Sequence, residues 1–279
     1  MFVLVATLYG LVVGSFLNVV IARLPVMMKR EWEDQARDIL GLPAGPKLDK
    51  FTLSAPRSCC PTCGHKIRMR ENIPLLSYAM LRGRCSGCKT PISWRYPVIE
   101  LFTAIVTATI AWHFGPSFHA CATIVLGWAL ISMSVIDIEH QLLPDPIVLP
   151  TLWCGLMVNA FGLFVPLQDA LWGAVAGYGS LWLFSAVYKL VRGQDGLGNG
   201  DMKLLALFGA WGGWQVVPLT FFLACVVGAF VSLALISNGR RDAGQRLSFG
   251  PYLAIAGIVM LAAGEPINGM VIHFMFPAY

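Results

Sequence analysis

Long apolar segments dominate this sequence. The stretch from Phe2 to Ile21 contains no charged residue and, at about 1.5 Å per helical residue, is long enough to cross a hydrocarbon core of roughly 30 Å. No Lys or Arg precedes it and no small-residue cleavage site follows it, which favours a membrane helix over a signal peptide. Hydrophobic residues make up 57% of the chain and charged residues only 13%, which is too apolar for an ordinary soluble domain. The chain is therefore predicted to be a membrane protein.

Gly, Pro and charged residues divide the rest of the chain into further apolar segments. The predicted spans lie at approximately 97–114, 118–136, 146–164, 170–188, 203–215, 216–236 and 247–263. With the first span, they predict an all-α polytopic membrane protein with about eight transmembrane helices. Spans 203–215 and 216–236 have little room before Arg240, so we expect them to be short or tilted. The apolar tail 264–279 contains no clear span and is expected to be interfacial.

Basic residues are unevenly distributed along the chain. Fourteen of the 20 Lys and Arg lie between Arg23 and Arg95, and the others form two short groups: Lys189, Arg192 and Lys203, then Arg240, Arg241 and Arg246. Because an even number of predicted spans separates successive groups, one topology places all three on the same face. The positive-inside rule makes that face cytoplasmic and puts the N-terminus on the opposite side. The net charge of +5 then reflects topology rather than nucleic-acid binding.

Five of the eight cysteines lie in the large extramembrane segment from Arg23 to Tyr96. Four of them form two C-x-x-C pairs: Cys60 with Cys63, and Cys85 with Cys88. This pattern is typical of a four-thiolate zinc site, although the gap of 21 residues is slightly longer than usual. Gly64 and Gly87 are expected to supply the positive φ or close backbone approach that such turns need.

Other roles for these cysteines are two disulfides or redox chemistry. A cytoplasmic segment is kept reduced, which disfavours the disulfides. A closed four-Cys site has no open coordination position, so its zinc would be structural. Cys121, Cys154 and Cys225 fall within apolar spans and are expected to be small buried hydrophobic residues.

Acidic residues are rare after Glu100, and an ionisable group at a membrane span is costly and by default a functional candidate. Asp137 ends one predicted span and Asp201 precedes another, with two crossings between them, so both are expected at the cytoplasmic boundary. Two carboxylates in one site cannot both ionise easily; one remains an acid while the other, as base, activates water for peptide hydrolysis. Gly198 and Gly200 lack a Cβ and would let an extended substrate approach. The alternative is that Asp201 only caps the following helix.

Asp145 is a third acid near this boundary. The sequence Leu143-Pro144-Asp145-Pro146 is typical of a turn followed by an N-cap residue and a proline at the first helical position. We therefore predict that Asp145 caps a helix rather than taking part in catalysis.

Four sequence landmarks, in order, resemble those of the type IV prepilin peptidases, which are bifunctional leader peptidases and N-methyltransferases of bacterial pilus and type II secretion systems. The landmarks are Gly14-Ser15-Phe16-Leu17-Asn18-Val19-Val20; the four cysteines with Asn72-Ile73-Pro74 and Arg95-Tyr96-Pro97 around them; Ile136-Asp137 followed by Leu143-Pro144-Asp145; and Gly198-Asn199-Gly200-Asp201-Met202-Lys203. The last is similar to the G-x-G-D motif of intramembrane aspartic proteases. Together the landmarks extend over nearly the whole chain.

The resemblance implies the substrate and the chemistry. The substrate would be a prepilin or pseudopilin with a short basic leader, cut after a glycine, whose new N-terminal residue is methylated with S-adenosylmethionine. The family's catalytic pair would be Asp137 and Asp201, and its zinc ligands Cys60, Cys63, Cys85 and Cys88. The methyltransferase residues stay unassigned, since the chain has no glycine-rich nucleotide-binding pattern; Glu71, Asn72 and Arg95 are only plausible neighbours.

The resemblance also implies the setting of the enzyme. The protein would lie in the lipid of the bacterial inner membrane, with a periplasmic N-terminus and a cytoplasmic active site. The apolar spans and the extramembrane segment of the sequence itself predict the domains: a first transmembrane helix at 1–22, a cytoplasmic zinc-binding loop domain at 23–96 and a transmembrane aspartic peptidase domain at 97–279.

Three other functions remain open. One is a peptidase without methyltransferase activity. A zinc-binding transporter is disfavoured because the acids lie at one boundary rather than at the membrane midplane. A zinc-binding scaffold would not explain the paired aspartates.

Overall fold

The computed structural model describes residues 1–43, 50–194, 197–239 and 248–275, and side chains up to 262. Its regular elements in these ranges are helices, with two isolated β-bridges, so the predicted all-α class is confirmed. The α-helices are α1 (Phe2–Ile39), α2 (Leu76–Met80), α3 (Arg95–Phe114), α4 (Phe118–His140), α5 (Asp145–Ala160), α6 (Leu167–Arg192), α7 (Asn199–Gly212), α8 (Val216–Ser237) and α9 (Gly250–Met275); a short 3₁₀ helix spans Met69–Asn72.

Five helices are long and apolar enough to cross a membrane among the described residues: α1, α3, α4, α6 and α8. Helices α5 and α7 have only 16 and 14 residues. At about 1.5 Å per residue, they are shorter than a typical hydrocarbon core. The short α7 agrees with the prediction that span 203–215 is short or tilted, because two spans must fit before Arg240. Helix α9 continues to Met275, through most of the segment that the sequence suggested was interfacial.

Helix α1 is much longer than its apolar stretch. It continues from the predicted end near residue 22 to Ile39 and contains Pro25. Its second half is rich in Lys, Arg, Glu and Gln, which are good helix formers, so charge ends the apolar stretch without ending the helix. Pro25 removes one backbone donor, and the helix continues beyond it.

The Gly14-Ser15-Phe16-Leu17-Asn18 motif packs α1 against α3. A Cβ on Gly10 would lie 2.7 Å from the Thr107 hydroxyl oxygen, and one on Gly14 would lie 2.8 Å from the Cα of Glu100. Glycines four residues apart thus allow close approach of two helices, as in many membrane proteins. The buried Asn18 amide donates to the Tyr96 carbonyl oxygen at 3.1 Å, which adds a polar contact between the same helices.

The chain forms two compact units, Met1–Ser132 and Met133–Tyr279. In the second unit, α7 is the central helix, and it is buried continuously from Leu204 to Trp211. Its neighbours are α5, α6, α8 and α9. The α6–α7 contact is especially close, since a Cβ on Gly173 or Gly209 would overlap the other glycine's backbone. This packing holds the C-terminal half of α7 firmly against α6 within the second unit.

Candidate active site and metal centre

Asp137 lies in the last turn of α4, where its side chain is 6% exposed. Its Oδ2 accepts a hydrogen bond from the backbone N–H of Gly250 at 3.0 Å. Its carbonyl oxygen accepts a second from the Ser248 hydroxyl at 2.9 Å. Buried polar groups are normally satisfied in this way. The start of α9 thus holds both the carboxylate and the backbone of Asp137.

Asp201 occupies the first turn of α7 and is half-buried. Gly198, not Asp201, is at the N-cap position of this helix. The Asp201 carboxylate lies close to Gly198, 3.3 Å from where a Cβ on that residue would be, and the positive end of the helix dipole favours a negative charge there. Asp201 lies three positions after the N-cap residue, so the alternative in which Asp201 itself caps the helix is wrong.

The two carboxylates lie within electrostatic range of each other, since the charge of Asp137 acts on Asp201. The residues around the two carboxylates share one neighbour, Leu143. Its side chain is next to Gly250, which contacts Asp137, and next to Gly200, which precedes Asp201. Residues from α4, α7 and α9 therefore meet in one polar region of the second unit.

The glycines around Asp201 differ in what they accommodate. A Cβ on Gly200 would lie 2.7 Å from the Leu143 Cβ, so this position is occupied by the protein and is not open to a substrate as the sequence suggested. Among the residues that the structure describes, a Cβ on Gly198 would have only the Asp201 Oδ2 within 4 Å, at 3.3 Å. Within these residues, the side of Gly198 has room for the approach of a backbone.

Asp145 does not cap α5. Pro144 is at the N-cap position and makes no side-chain cap, while Asp145 is the first helical residue. Both Asp145 oxygens accept from the Lys203 ammonium at 2.7 Å. The predicted cap is wrong because Lys203 of α7, 58 residues away in sequence, takes up this carboxylate. The pair joins α5 to α7 two residues beyond Asp201.

The four predicted zinc ligands form a compact cluster. The Sγ atoms of Cys60, Cys63, Cys85 and Cys88 all lie within 4.8 Å of one another. Those of Cys60 and Cys88 are 3.7 Å apart. A tetrahedral ion with Zn–S bonds of about 2.3 Å requires sulfurs about 3.8 Å apart. The cluster could therefore hold a metal ion such as zinc, and all eight cysteines are free thiols rather than disulfides.

The two C-x-x-C turns share one backbone pattern. Gly64 N–H donates to the Cys60 carbonyl at 2.9 Å, and Lys89 N–H to that of Cys85 at 3.0 Å. Both donors have positive φ, 70° and 62°. Gly64 therefore plays its predicted role, whereas in the second turn the left-handed residue is Lys89. Gly87 allows close approach, because its Cβ would lie 3.3 Å from that of His65.

Glu71 connects the two turns. Its carboxylate accepts from the Arg68 backbone N–H at 2.8 Å and forms an ion-pair contact with His65 Nε2 at 3.1 Å. Hydrogen bonds from Arg68, then Ser86, then His65 lower the pKa of Glu71 to about 2, because they stabilise the charged form. The sequence indicated no such role. His65 follows the first pair and Ser86 lies within the second, so Glu71 braces the cluster from outside.

The remaining cysteines in the apolar helices are not buried in the protein. Cys121 and Cys225 are exposed and Cys154 is intermediate. Their predicted burial is wrong because a membrane helix also directs apolar side chains outward. These thiols lie on helix surfaces, where lipid would replace the protein interior as their apolar environment.

Glu100 of α3 is a buried acid for which the sequence predicted no role. It is 8% exposed and accepts from the Leu75 backbone N–H at 2.9 Å. Leu75 itself has a φ of 58°, unusual for a residue with a branched side chain. Glu100 thus attaches the segment between the cysteine pairs to a membrane helix of the first unit.

Comparison with known proteins gives consistent results over the whole chain. Residues 8–114 match the model of the bacterial peptidase A24 N-terminal domain, and residues 124–233 match that of the type IV leader peptidase family. A prepilin leader peptidase/N-methyltransferase of Stutzerimonas stutzeri is 54% identical over 98% of this chain and 94% of the relative. Proteins of the same name from Pseudomonas aeruginosa and Aeromonas hydrophila are 52% and 47% identical, over 98% and 94% of this chain and 94% and 90% of the relatives. No solved structure matches. On this similarity, the chain belongs to the type IV leader peptidase family.

Proposed function

We propose that this protein cleaves the basic leader from type IV prepilins or pseudopilins and then methylates the new N-terminal residue. Full-length relatives named prepilin leader peptidase/N-methyltransferase support both activities. The observation that carries the peptidase half is that Gly250, which donates to Asp137 at the end of α4, and Gly200, next to Asp201 at the start of α7, both lie against Leu143.

The proposed cleavage is an acid–base reaction of the two carboxylates. One, ionised, takes a proton from a water molecule that attacks the scissile carbonyl carbon. The other, protonated, hydrogen-bonds to the carbonyl oxygen, and a proton then passes to the leaving nitrogen as the C–N bond breaks. An extended substrate would approach beside Gly198, where a Cβ would meet no described atom other than the Asp201 carboxylate oxygen.

The proposed methyl donor is S-adenosylmethionine, which supplies an activated methyl group. The acceptor is the amine that cleavage creates, and it must be neutral and oriented towards that methyl group to react. Residues for this step are not assigned.

The proposed metal is one structural zinc ion held by Cys60, Cys63, Cys85 and Cys88. The sulfur spacing and the matching turns support this assignment. Four thiolates close the coordination sphere, so the zinc would stabilise the loop domain proposed at 23–96 rather than act on the substrate. Residues 1–22 and 97–279 would form the first membrane helix and the peptidase domain.

The proposed location is the lipid bilayer of the bacterial inner membrane. Five apolar helices support insertion in a membrane. The clustering of Lys and Arg in three groups supports a periplasmic N-terminus with the loop domain and active site facing the cytoplasm.

The experiment combines the purified full-length protein with a synthetic prepilin peptide and S-adenosylmethionine, and follows the products by mass spectrometry. We expect the peptide to be cut after the glycine of its leader and the mature fragment to gain one methyl group. A matched peptide with valine in place of that glycine should remain intact. Cleavage without an added methyl group would refute the proposed methyltransferase activity. A glycine-containing peptide that stays intact would refute the proposed peptidase activity.

A further inference from the structure

The segment Ser248–Gly250 lies outside the residues, 124–233, that match the peptidase family model. It leads into the first residue of α9 and makes two separate hydrogen bonds to one residue, Asp137, more than a hundred positions earlier in sequence. Gly250 holds a carboxylate oxygen and Ser248 holds the main-chain carbonyl.

We propose that Ser248 and Gly250 are positioning residues that set the orientation of the Asp137 carboxylate for peptide cleavage. This inference rests on the proposed function, because it assumes that Asp137 is one of the two catalytic carboxylates. It assigns the start of α9 to the active site as a third element beside the end of α4 and the start of α7.

The geometry restricts the carboxylate on two sides. Oδ2 is held at 3.0 Å by the Gly250 N–H, and it lies only 2.8 Å from where a Gly250 Cβ would be. The residue at position 250 must therefore donate a hydrogen bond and also lack a side chain. Any other residue there must displace the carboxylate, Leu143 or the start of α9.

The Ser248 bond controls a different degree of freedom. The Asp137 carbonyl oxygen accepts from the Gln141 N–H, four residues later in the chain, and it also accepts from the Ser248 hydroxyl. Fixing this carbonyl fixes the Cα–Cβ direction from which the carboxylate extends. An error of about 1 Å in the position of a catalytic group can cost about 10²-fold in rate, so loss of either contact should affect turnover.

The principal test compares Gly250→Ala with Gly179→Ala in purified protein. Gly179 lies in α6, and a Cβ there would meet no described atom within 4 Å, so the same chemical change is made without a contact in the described part of the chain. We expect Gly250→Ala to lower kcat by about 10- to 100-fold with KM changed less than about twofold, because the carboxylate moves while substrate contacts remain. Gly179→Ala should match the unsubstituted protein. A Gly250→Ala kcat within about twofold of that protein would overturn the proposal.

A stability measurement tests the contact without using activity. The midpoint of thermal unfolding in detergent is compared for Gly250→Ala alone and in an Asp137→Ala background, where the displaced oxygen is absent. If position 250 acts through the Asp137 carboxylate, the decrease caused by Gly250→Ala should be clearly smaller in that background, as expected for residues in contact. An equal decrease in both backgrounds would contradict the contact and overturn the proposal.

The Ser248 half is tested by a pair of substitutions. Ser248→Ala removes the hydroxyl and should lower kcat several-fold, whereas Ser248→Thr keeps a hydroxyl donor and should retain at least about half of kcat. Equal kcat values for the two variants would overturn the role of the hydroxyl.

Asp137→Asn, measured in the same assay, distinguishes failure of the proposed active site from failure of the positioning role. If Asp137→Asn cleaves at the normal rate, the proposed active site is wrong. If Asp137→Asn is inactive while Gly250→Ala keeps a normal kcat, only the positioning role is wrong.

Discussion

At the level of single residues, the Lys203–Asp145 ion pair lies two residues beyond Asp201 in α7. Both oxygens of Asp145 are 2.7 Å from the ammonium, but the side chains are 26% and 48% exposed for Lys203 and Asp145. Partly exposed pairs of this kind contribute about 1 kcal/mol or less. The pair joins α5 to α7, so we interpret it as a modest constraint on the turn that carries Asp201.

The effect of the Asp145–Lys203 ion pair on cleavage can be measured by neutralising each residue in turn. Asp145→Asn and Lys203→Gln should each lower cleavage by less than about tenfold, because α7 stays packed while its first turn loosens. Arg192→Gln, which removes an exposed cation at the end of α6, is the matched control and should leave the rate unchanged. A loss from Asp145→Asn as large as that from Asp137→Asn would show that Asp145 takes part in the chemistry.

Single residues also show which parts of the candidate site could be predicted from the sequence. Asp137 and Asp201 were predictable as candidates because a carboxylate in apolar sequence is costly and needs a reason to persist. The contacts of Asp137 with Gly250 and of Asp145 with Lys203 connect positions 113 and 58 residues apart. No local pattern indicates such pairs: Gly-Pro at the start of α9 and Pro-Asp-Pro at the start of α5 are equally typical of ordinary helix starts.

At the level of elements, the sequence predicted the helices well, but not the end of α1 or the extent of α9. Apolar length identifies a membrane segment, whereas a helix ends only where its backbone hydrogen bonding ends. Arg23 therefore marked the end of the apolar stretch, and the helix continued to Ile39. The cysteine pairs were predictable because spacing alone determines whether two thiolates of a tight turn can converge on one ion.

The cysteine cluster leads to a prediction about metal content. Protein purified without added zinc should contain about one zinc per chain, held by four thiolates. Cys60→Ser and Cys88→Ser should each lower the zinc content and make the loop domain more sensitive to protease. Cys121→Ser, which alters an exposed cysteine of α4, is the control. Metal analysis showing zinc loss only in the Cys121 variant would refute the ligand set.

At the level of the whole molecule, the two groups of candidate residues belong to different compact units. The cysteine cluster lies in Met1–Ser132, and Asp137 and Asp201 lie in Met133–Tyr279. Methylation of an amine requires an oriented neutral nitrogen and does not require an aspartate pair that activates water. The two proposed activities should therefore be separable.

Separation can be tested with a peptide supplied in its cleaved form. Asp201→Asn should transfer a labelled methyl group from S-adenosylmethionine to this peptide at a rate close to that of the unsubstituted protein. Cys60→Ser should impair this transfer more than it impairs cleavage, because the cysteine-containing segment is the main extramembrane region available to hold a soluble cofactor. Loss of transfer in folded Asp201→Asn protein would contradict independent sites.

The measurement that tests the central claim most directly is cleavage of a synthetic prepilin peptide by Asp137→Asn and Asp201→Asn. Each change keeps the shape of the side chain and removes one member of the acid–base pair, so each should lower the cleavage rate by at least about 10²-fold. Amounts of inserted protein and thermal midpoints should stay close to those of the unsubstituted protein. Substantial cleavage by either purified variant would show that the Asp137–Asp201 pair is not the catalytic dyad.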